Sequence, residues 1–394
     1  MVNKLAKSSK RKLMLIIIVL MWFSNYIYVP VLSTYCTAMG ASLTMVGLIL
    51  GSYGFTQMIL RIPIGLLSDI FKNRRLFLFL SMFTSLISGI GFYFFTSTGL
   101  LLIFRALAGI AMSNWAIFIT TYSALDDKED NNSRSIGVVN SIMALGQLLG
   151  VFFGGVIAQY INVKGTFAVS AISSLIGLIL LSFIDETYES SGKKFSLSNF
   201  TSVIKDSQLL FYSFMALLLQ FITSASLTGF IPNLLSAISA SEFEKGLGTT
   251  LALLPATFAA PLAIRLVNKR FGTKWTAVLG FGVLSVPMFF FPFIKSIPIM
   301  LSFLFLAGFG KGMLLPLFMT RATSHLPPDE RSTALGAFQA IYGIGTWIGP
   351  AVTGYISNLF SLEMAFLFLG ITGFTTIVSL LIYSGKKRGR YTLN

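Results

Sequence analysis

Charge is what this chain has least of. Only 11% of its 394 residues are Asp, Glu, Lys or Arg, against 55% hydrophobic. Soluble domains carry about 25% charged residues, so a water-solvated surface of this size cannot be built. That excludes a soluble enzyme and a nucleic-acid-binding domain, despite a net charge of +15. A single cysteine, Cys36, excludes an intrachain disulfide framework, a cysteine-based zinc site and an iron–sulfur cluster. A single histidine, His325, removes most metal chemistry and Ser–His catalysis. His325 itself, beside Pro327 and Pro328, reads as a solvated loop residue.

Apolar runs are abundant instead. Twelve recur, at approximately 13–35, 43–67, 76–96, 99–122, 136–160, 166–184, 208–238, 246–267, 276–294, 297–321, 334–359 and 364–383. Each suffices to cross about 30 Å of hydrocarbon as a helix of about 20 residues, so the chain reads as an all-α polytopic membrane protein. The first run follows a basic segment and imitates a signal peptide. It is too long, and no small-residue cleavage site follows before Tyr26 and Pro30, so it reads as an uncleaved helix.

Basic residues set the orientation. With both termini on one side, that side collects 23 Lys and Arg, and the other side has three, Lys164, Lys245 and Lys295. The positive-inside rule then puts both termini in the cytoplasm of a multi-pass inner-membrane protein. An odd number of spans would scramble this split.

The chain also repeats itself. A shift of 199 residues brings Gly137, Gly146, Gly150 and Gly155 onto Gly336, Gly345, Gly349 and Gly354, and Asn140 onto Gln339. The same shift sets Ala108-Gly109 on Ala307-Gly308, and a small gap aligns Pro30 with Pro232. This predicts two pseudo-symmetric six-helix bundles, 1–184 and 208–394, joined by a cytoplasmic linker over 185–207. A short surface helix is expected around Phe200 to Ile204.

Motifs sharpen the picture. After the second span comes Gly65-Leu-Leu-Ser-Asp69-Ile-Phe-Lys72-Asn-Arg74-Arg75. The fourth span reads Arg105-Ala-Leu-Ala-Gly109, and the fifth has Gly146, Gly150 and Gly154 spaced by four, followed by Gly155. The eleventh repeats Gly345 and Gly349 and adds Pro350. In order, these resemble the signatures of the major facilitator superfamily: G-x-L-x-D-R-x-G-x-R-R, R-x-x-x-G, and the G-x-x-x-G-P-x-x-G-G of its antiporter branches. Lys72 stands where the first signature has glycine, and Val151 where the last has proline.

The resemblance implies the twelve-helix fold of that superfamily and secondary transport by rocking of one bundle against the other. It implies a latch in which Asp69 faces the N-terminal end of the eleventh helix, with Gly65 in the same turn. Arg74 or Arg75 would pair with Asp126 or Asp127. Glycines four apart share one helix face and admit another backbone closely. Gly146, Gly150, Gly154, Gly349 and Pro350 are therefore expected either in tight packing or at the moving interface.

Three cations cannot be placed in loops: Arg61, Arg105 and Lys311. Each costs about 2.5–3.5 kcal/mol on insertion scales, so such residues face the protein interior or a watery cavity. All 14 acids, by contrast, sit in loops or at helix ends. Cation-exporting relatives in the superfamily often carry an acid in the first or fourth helix, where this chain offers Asn25, Tyr26 and Tyr28. The cavity is therefore expected to be net positive, with Asn114, Gln220 and Gln339 among its neutral polar groups.

The substrate expected is a small anionic, zwitterionic or neutral amphiphilic molecule, recognised by Arg through paired contacts. Lys311 is the candidate proton carrier, because a desolvated ammonium near other cations releases its proton more readily. No G-x-x-x-x-G-K-[ST] loop is present, which disfavours ATP drive; a proton gradient, without a cofactor, is the drive expected. The chain would act alone in the bilayer, and the glycine motif leans towards export by antiport. Rival readings are uptake or exchange of a small organic anion, a lipid or glycolipid flippase, and a receptor or scaffold that has lost transport. Without a buried His, Asp or Glu for acid–base chemistry, an enzyme is disfavoured.

Overall fold

The computed structural model describes residues 7–125, 132–185, 205–327 and 330–386. The linker helix expected around Phe200 and the partners expected for Arg74 and Arg75, Asp126 and Asp127, lie outside these residues. The chain forms two compact units, one of residues 1–39 and 52–195, the other of 40–51 and 196–394.

The first unit contains α1 (Lys7–Tyr26), α2 (Val29–Ala38), most of α3 (Leu43–Phe71), α4 (Arg74–Phe94), α5 (Thr98–Ser113), α6 (Trp115–Ala124), α7 (Asn132–Tyr160) and α8 (Val163–Leu181). Two of its spans are broken. Helices α1 and α2 belong to one span, interrupted where Pro30, at the start of α2, supplies no N–H to the preceding turn. Helices α5 and α6 form another, interrupted at Asn114. The core joins Met14, Ile17, Ile18 and Met21 of α1 to Met82 of α4, Phe118 and Tyr122 of α6 and Val139 of α7.

The second unit contains α9 (Ser207–Ala225), a π-helical stretch at Ser226–Phe230, α10 (Ile231–Ala237), α11 (Glu242–Leu253), α12 (Ala256–Ala263), a second π stretch at Ile264–Asn268, α13 (Lys269–Phe290), α14 (Ile297–Thr323), α15 (Arg331–Leu359) and α16 (Leu362–Lys386). The π stretch at Ser226–Phe230 precedes Pro232, just as the break in the first span precedes Pro30. The first turns of α3 also belong to this unit. There the glycines at 47 and 354 bring α3 and α15 into backbone contact, Gly354 beside Leu43 and Gly47 beside Pro350.

Among the described residues, ten helical stretches are long and apolar enough to cross a membrane. One of them, Glu242–Phe293, runs 52 residues and holds two of the twelve predicted spans, with the backbone leaving the helix at Gly272 (φ 78°, ψ 174°). Helix α15, with 29 residues, corresponds to the eleventh span but is not among those ten. The all-α, twelve-helix architecture accommodates both.

Side-chain caps fix where several helices begin. Asn73, Asn162 and Asp206 accept from the backbone N–H groups of Leu76, Gly165 and Leu209, and Ser241 with Glu244 forms a capping box. A positive φ recurs at matching positions of the two sequence halves. The described residues with left-handed φ are Gly40 (86°), Lys72 (49°), Ser239 (62°) and Gly272 (78°). Gly40 corresponds to Ser239 and Lys72 to Gly272, at offsets of 199 and 200 residues.

Candidate functional site

In the first unit the intramembrane charge gathers tyrosines around it. Arg105, on α5, is only 7% exposed. Its Nη1 donates to the Tyr28 hydroxyl at 3.1 Å, at the break between α1 and α2. Its guanidinium carbon lies 4.4 Å from the Tyr53 ring centroid and 5.4 Å from that of Tyr28. Contacts of this kind are worth about 2 kcal/mol or more when desolvated, comparable with the cost of placing the charge there. No carboxylate reaches Arg105 among the described residues. Tyr53 is also within electrostatic reach of Tyr26 and Arg61, so Arg61, Arg105, Tyr26, Tyr28 and Tyr53 form one constellation.

Tyr53 was missed in the sequence. Its signal was present, since it precedes Arg61 by eight residues on the same helix, two turns along one face.

Asn25 and Asn114 are placed differently. Asn25 is buried and donates to the Met21 carbonyl at 2.9 Å and to the Ser85 hydroxyl at 3.1 Å. Ser85 also contacts Ser24 at 3.1 Å and accepts from Ser174 at 2.9 Å, while Ser170 donates to the Ser24 carbonyl at 2.6 Å. Asn25 thus belongs to a serine network that ties α1, α4 and α8 together. Asn114 donates to the Ile110 carbonyl at 3.0 Å, and its Oδ1 is buried without a partner at the break of the fourth span. Beside it, the rings of Trp115 and Trp22 meet edge to face at 5.1 Å. Tyr26 packs 5.6 Å from Trp22.

The glycine stripe of α7 is turned towards α1, in its own unit. A Cβ at Gly146 would lie 2.9 Å from the Val19 carbonyl oxygen, and one at Gly150 would lie 3.0 Å from the Tyr26 Cβ. One at Gly154 would overlap the Ile27 carbonyl. In the second unit, Gly345 and Gly349 face the carbonyls of Leu217 and Phe221 on α9 in the same way. These contacts lie within each unit, where the small residues let helix backbones touch. Pro350 differs, since its carbonyl meets Gly47 at the start of α3.

At the end of α3, Asp69 is exposed, Arg74 is half-buried, and Gly65 has open space where a side chain would go. Arg75 donates to the Ser182 carbonyl at 2.9 Å, at the C-terminal end of α8, where a cation is favoured by the helix dipole. Lys10 pairs with Asp185, and Arg11 donates to the Tyr122 hydroxyl at 2.9 Å. These basic residues therefore tie helix ends of the first unit.

In the second unit, Lys311 is half-buried on α14, with no carboxylate or hydrogen-bond partner among the described residues. Gln220 accepts from the Thr223 hydroxyl at 3.2 Å on α9, close to the π stretch, and Gln339 is half-buried on α15. His325 is exposed in the turn after α14, as expected, and lies 3.0 Å from Asp206, the cap of α9.

Multiple apolar helices define a multi-pass membrane protein, and its family and relatives are transporters, not enzymes. The chain belongs to the Major Facilitator Superfamily, whose model matches residues 14–234 and 213–392. A proton-coupled antiporter flippase, LtaA of Staphylococcus saprophyticus, is 29% identical over 310 residues, covering 74% of this chain and 75% of that protein. A homolog of the multi-drug resistance efflux pump PmrA, from Lactococcus lactis, is 26% identical over 253 residues, covering 60% of this chain and 61% of that protein. Among solved structures, the nucleoside transporter NupG superposes with a TM-score of 0.80 at 13% identity, covering 96% of this chain and 99% of that one.

Proposed function

We propose that this transporter exports an amphiphilic compound with an anionic, zwitterionic or strongly polar headgroup in exchange for protons. It works by alternating access in the inner membrane, with both termini cytoplasmic. The observation that carries this reading is the pair of intramembrane cations, Arg105 and Lys311, neither of which meets a carboxylate among the described residues. A cation kept in an apolar helix without a counter-ion is costly unless it is used. Arg105 serves the substrate headgroup, and Lys311 carries the proton. The names of the relatives, a proton-coupled antiporter flippase and an efflux pump homolog, support both export and proton coupling.

The test is transport in proteoliposomes of a panel of anions, cations and neutral amphiphiles, with and without an imposed proton gradient. Anionic and zwitterionic compounds should move with the gradient and stop when a protonophore is added. Lys311→Ala should abolish gradient-driven movement while leaving exchange. A preference for cations, or gradient-driven transport that survives Lys311→Ala, overturns the respective assignment. The flippase relative favours a second reading in which the headgroup belongs to a lipid. A fluorescent-lipid flipping assay on the same vesicles separates the two.

A further inference from the structure

Arg105 is held in a way that leaves one edge of its guanidinium without a hydrogen-bond partner among the described residues. The Tyr53 ring lies 4.4 Å from the guanidinium carbon and the Tyr28 ring 5.4 Å, so aromatic rings flank the cation. Nη1, on the Cδ side, is engaged by the Tyr28 hydroxyl at 3.1 Å. What remains is the opposite edge, formed by Nε and Nη2. Nε is buried without a hydrogen-bond partner, and Nη2 has none among the described residues. Leaving a buried charged donor unsatisfied costs more than the bond it replaces, and this one sits in a side chain only 7% exposed.

We infer that the Nε–Nη2 edge of Arg105 is a side-on receptor for an oxyanion with two adjacent acceptor oxygens, a carboxylate or a phosphate ester. The inference rests on the transport reading and deepens it by naming the headgroup. Two parallel N–H groups match two oxygens of one planar or tetrahedral anion. A halide satisfies only one of them, and an amide supplies one acceptor and an opposing donor. Tyr28 fixes the remaining nitrogen and so aims the unpartnered edge, acting as a positioning residue. The rings also limit approach over the faces of the cation. A lysine at this position keeps the charge but has no fork.

The test uses the full chain in lipid nanodiscs and water-soluble probes of matched size: butyrate, butyl phosphate and butyramide, with chloride as the single-point anion. Calorimetric titration should show butyrate and butyl phosphate binding at least tenfold more tightly than butyramide, a difference of about 1.4 kcal/mol. Arg105→Lys should erase that preference, whereas Tyr28→Phe, which keeps the fork, should retain selection of acid over amide with weaker binding. Equal binding of butyrate and butyramide by the native protein overturns the inference, whether or not Arg105→Lys folds. So does an acid preference that survives Arg105→Lys. Acid-selective binding supports the receptor even where a proton gradient fails to move the probe. Gradient-driven movement of butyramide alongside equal binding removes the receptor and leaves transport standing.

Discussion

Replacing Gly154 by alanine tests whether the glycine stripe of α7 packs or moves. A Cβ there would overlap the Ile27 carbonyl oxygen and stand 2.9 Å from its carbon, where ordinary contact begins at 3.4 Å. The obstacle is backbone, so no side chain can swing aside. To clear the oxygen, helix α7 must back away from α1 by about 1 Å or more, loosening Gly146 and Gly150 as well. Overpacking of this kind costs about 1–3 kcal/mol, and the rigid obstacle places Gly154→Ala at the upper end. The control lies on the same helix: Gly137 has nothing within 4 Å of its Cβ position. Gly137→Ala should gain up to about 0.8–1.0 kcal/mol from helix propensity. Thermal unfolding of the purified protein should therefore separate the two variants by several degrees, at about 2 °C per kcal/mol for a large chain. Gly154→Ala melting with or above Gly137→Ala would refute the packing geometry. Unchanged melting combined with lost transport would instead put the stripe at a moving contact.

Two further substitutions probe other parts of the fold. Lys72 has φ 49° where the superfamily signature has glycine, and a left-handed side-chain residue costs about 1–2 kcal/mol. After the extra chain entropy of glycine, Lys72→Gly should raise stability by about 0.5–1 kcal/mol, read as a higher melting temperature, and a lower one would contradict the backbone geometry. Ser85→Ala removes contacts to Ser24, Asn25 and Ser174. At about 0.6 kcal/mol for a typical hydrogen bond inside a membrane protein, it should cost roughly 1–2 kcal/mol in denaturant melts, and a neutral result would show that the network is dispensable.

Much of the architecture is legible in the sequence because the membrane imposes it. Apolar runs of fixed length, basic residues crowded on one side and a repeat at 199 residues all survive without tertiary information. The fine placement of polar side chains does not. Asn25 and Tyr26 are neighbours in the sequence, yet Asn25 turns into the serine network while Tyr26 packs on Trp22. A helix advances about 100° per residue, and only the packed neighbours decide which direction is interior and which faces a site. The contacts of Arg75 and His325 escaped for a related reason: their partners, Ser182 and Asp206, lie more than a hundred residues away. The fork of Arg105 depends on which guanidinium nitrogen a tyrosine occupies, a detail that residue identity cannot carry.

The matched left-handed turns have a consequence for how such chains are recognised. Each half of the sequence keeps a glycine at one of its two turns and a side-chain residue at the other: Gly40 answers Ser239, and Gly272 answers Lys72. The positive φ recurs where the residue type does not, and the glycine that makes each bend easy stands in opposite copies. A search that insists on glycine at the bend would reject the first half at one loop and the second half at the other. Comparing backbone angles between the halves finds both. Each half is thus a guide to its twin, since glycine at 72 and at 239 would meet a φ that is already positive.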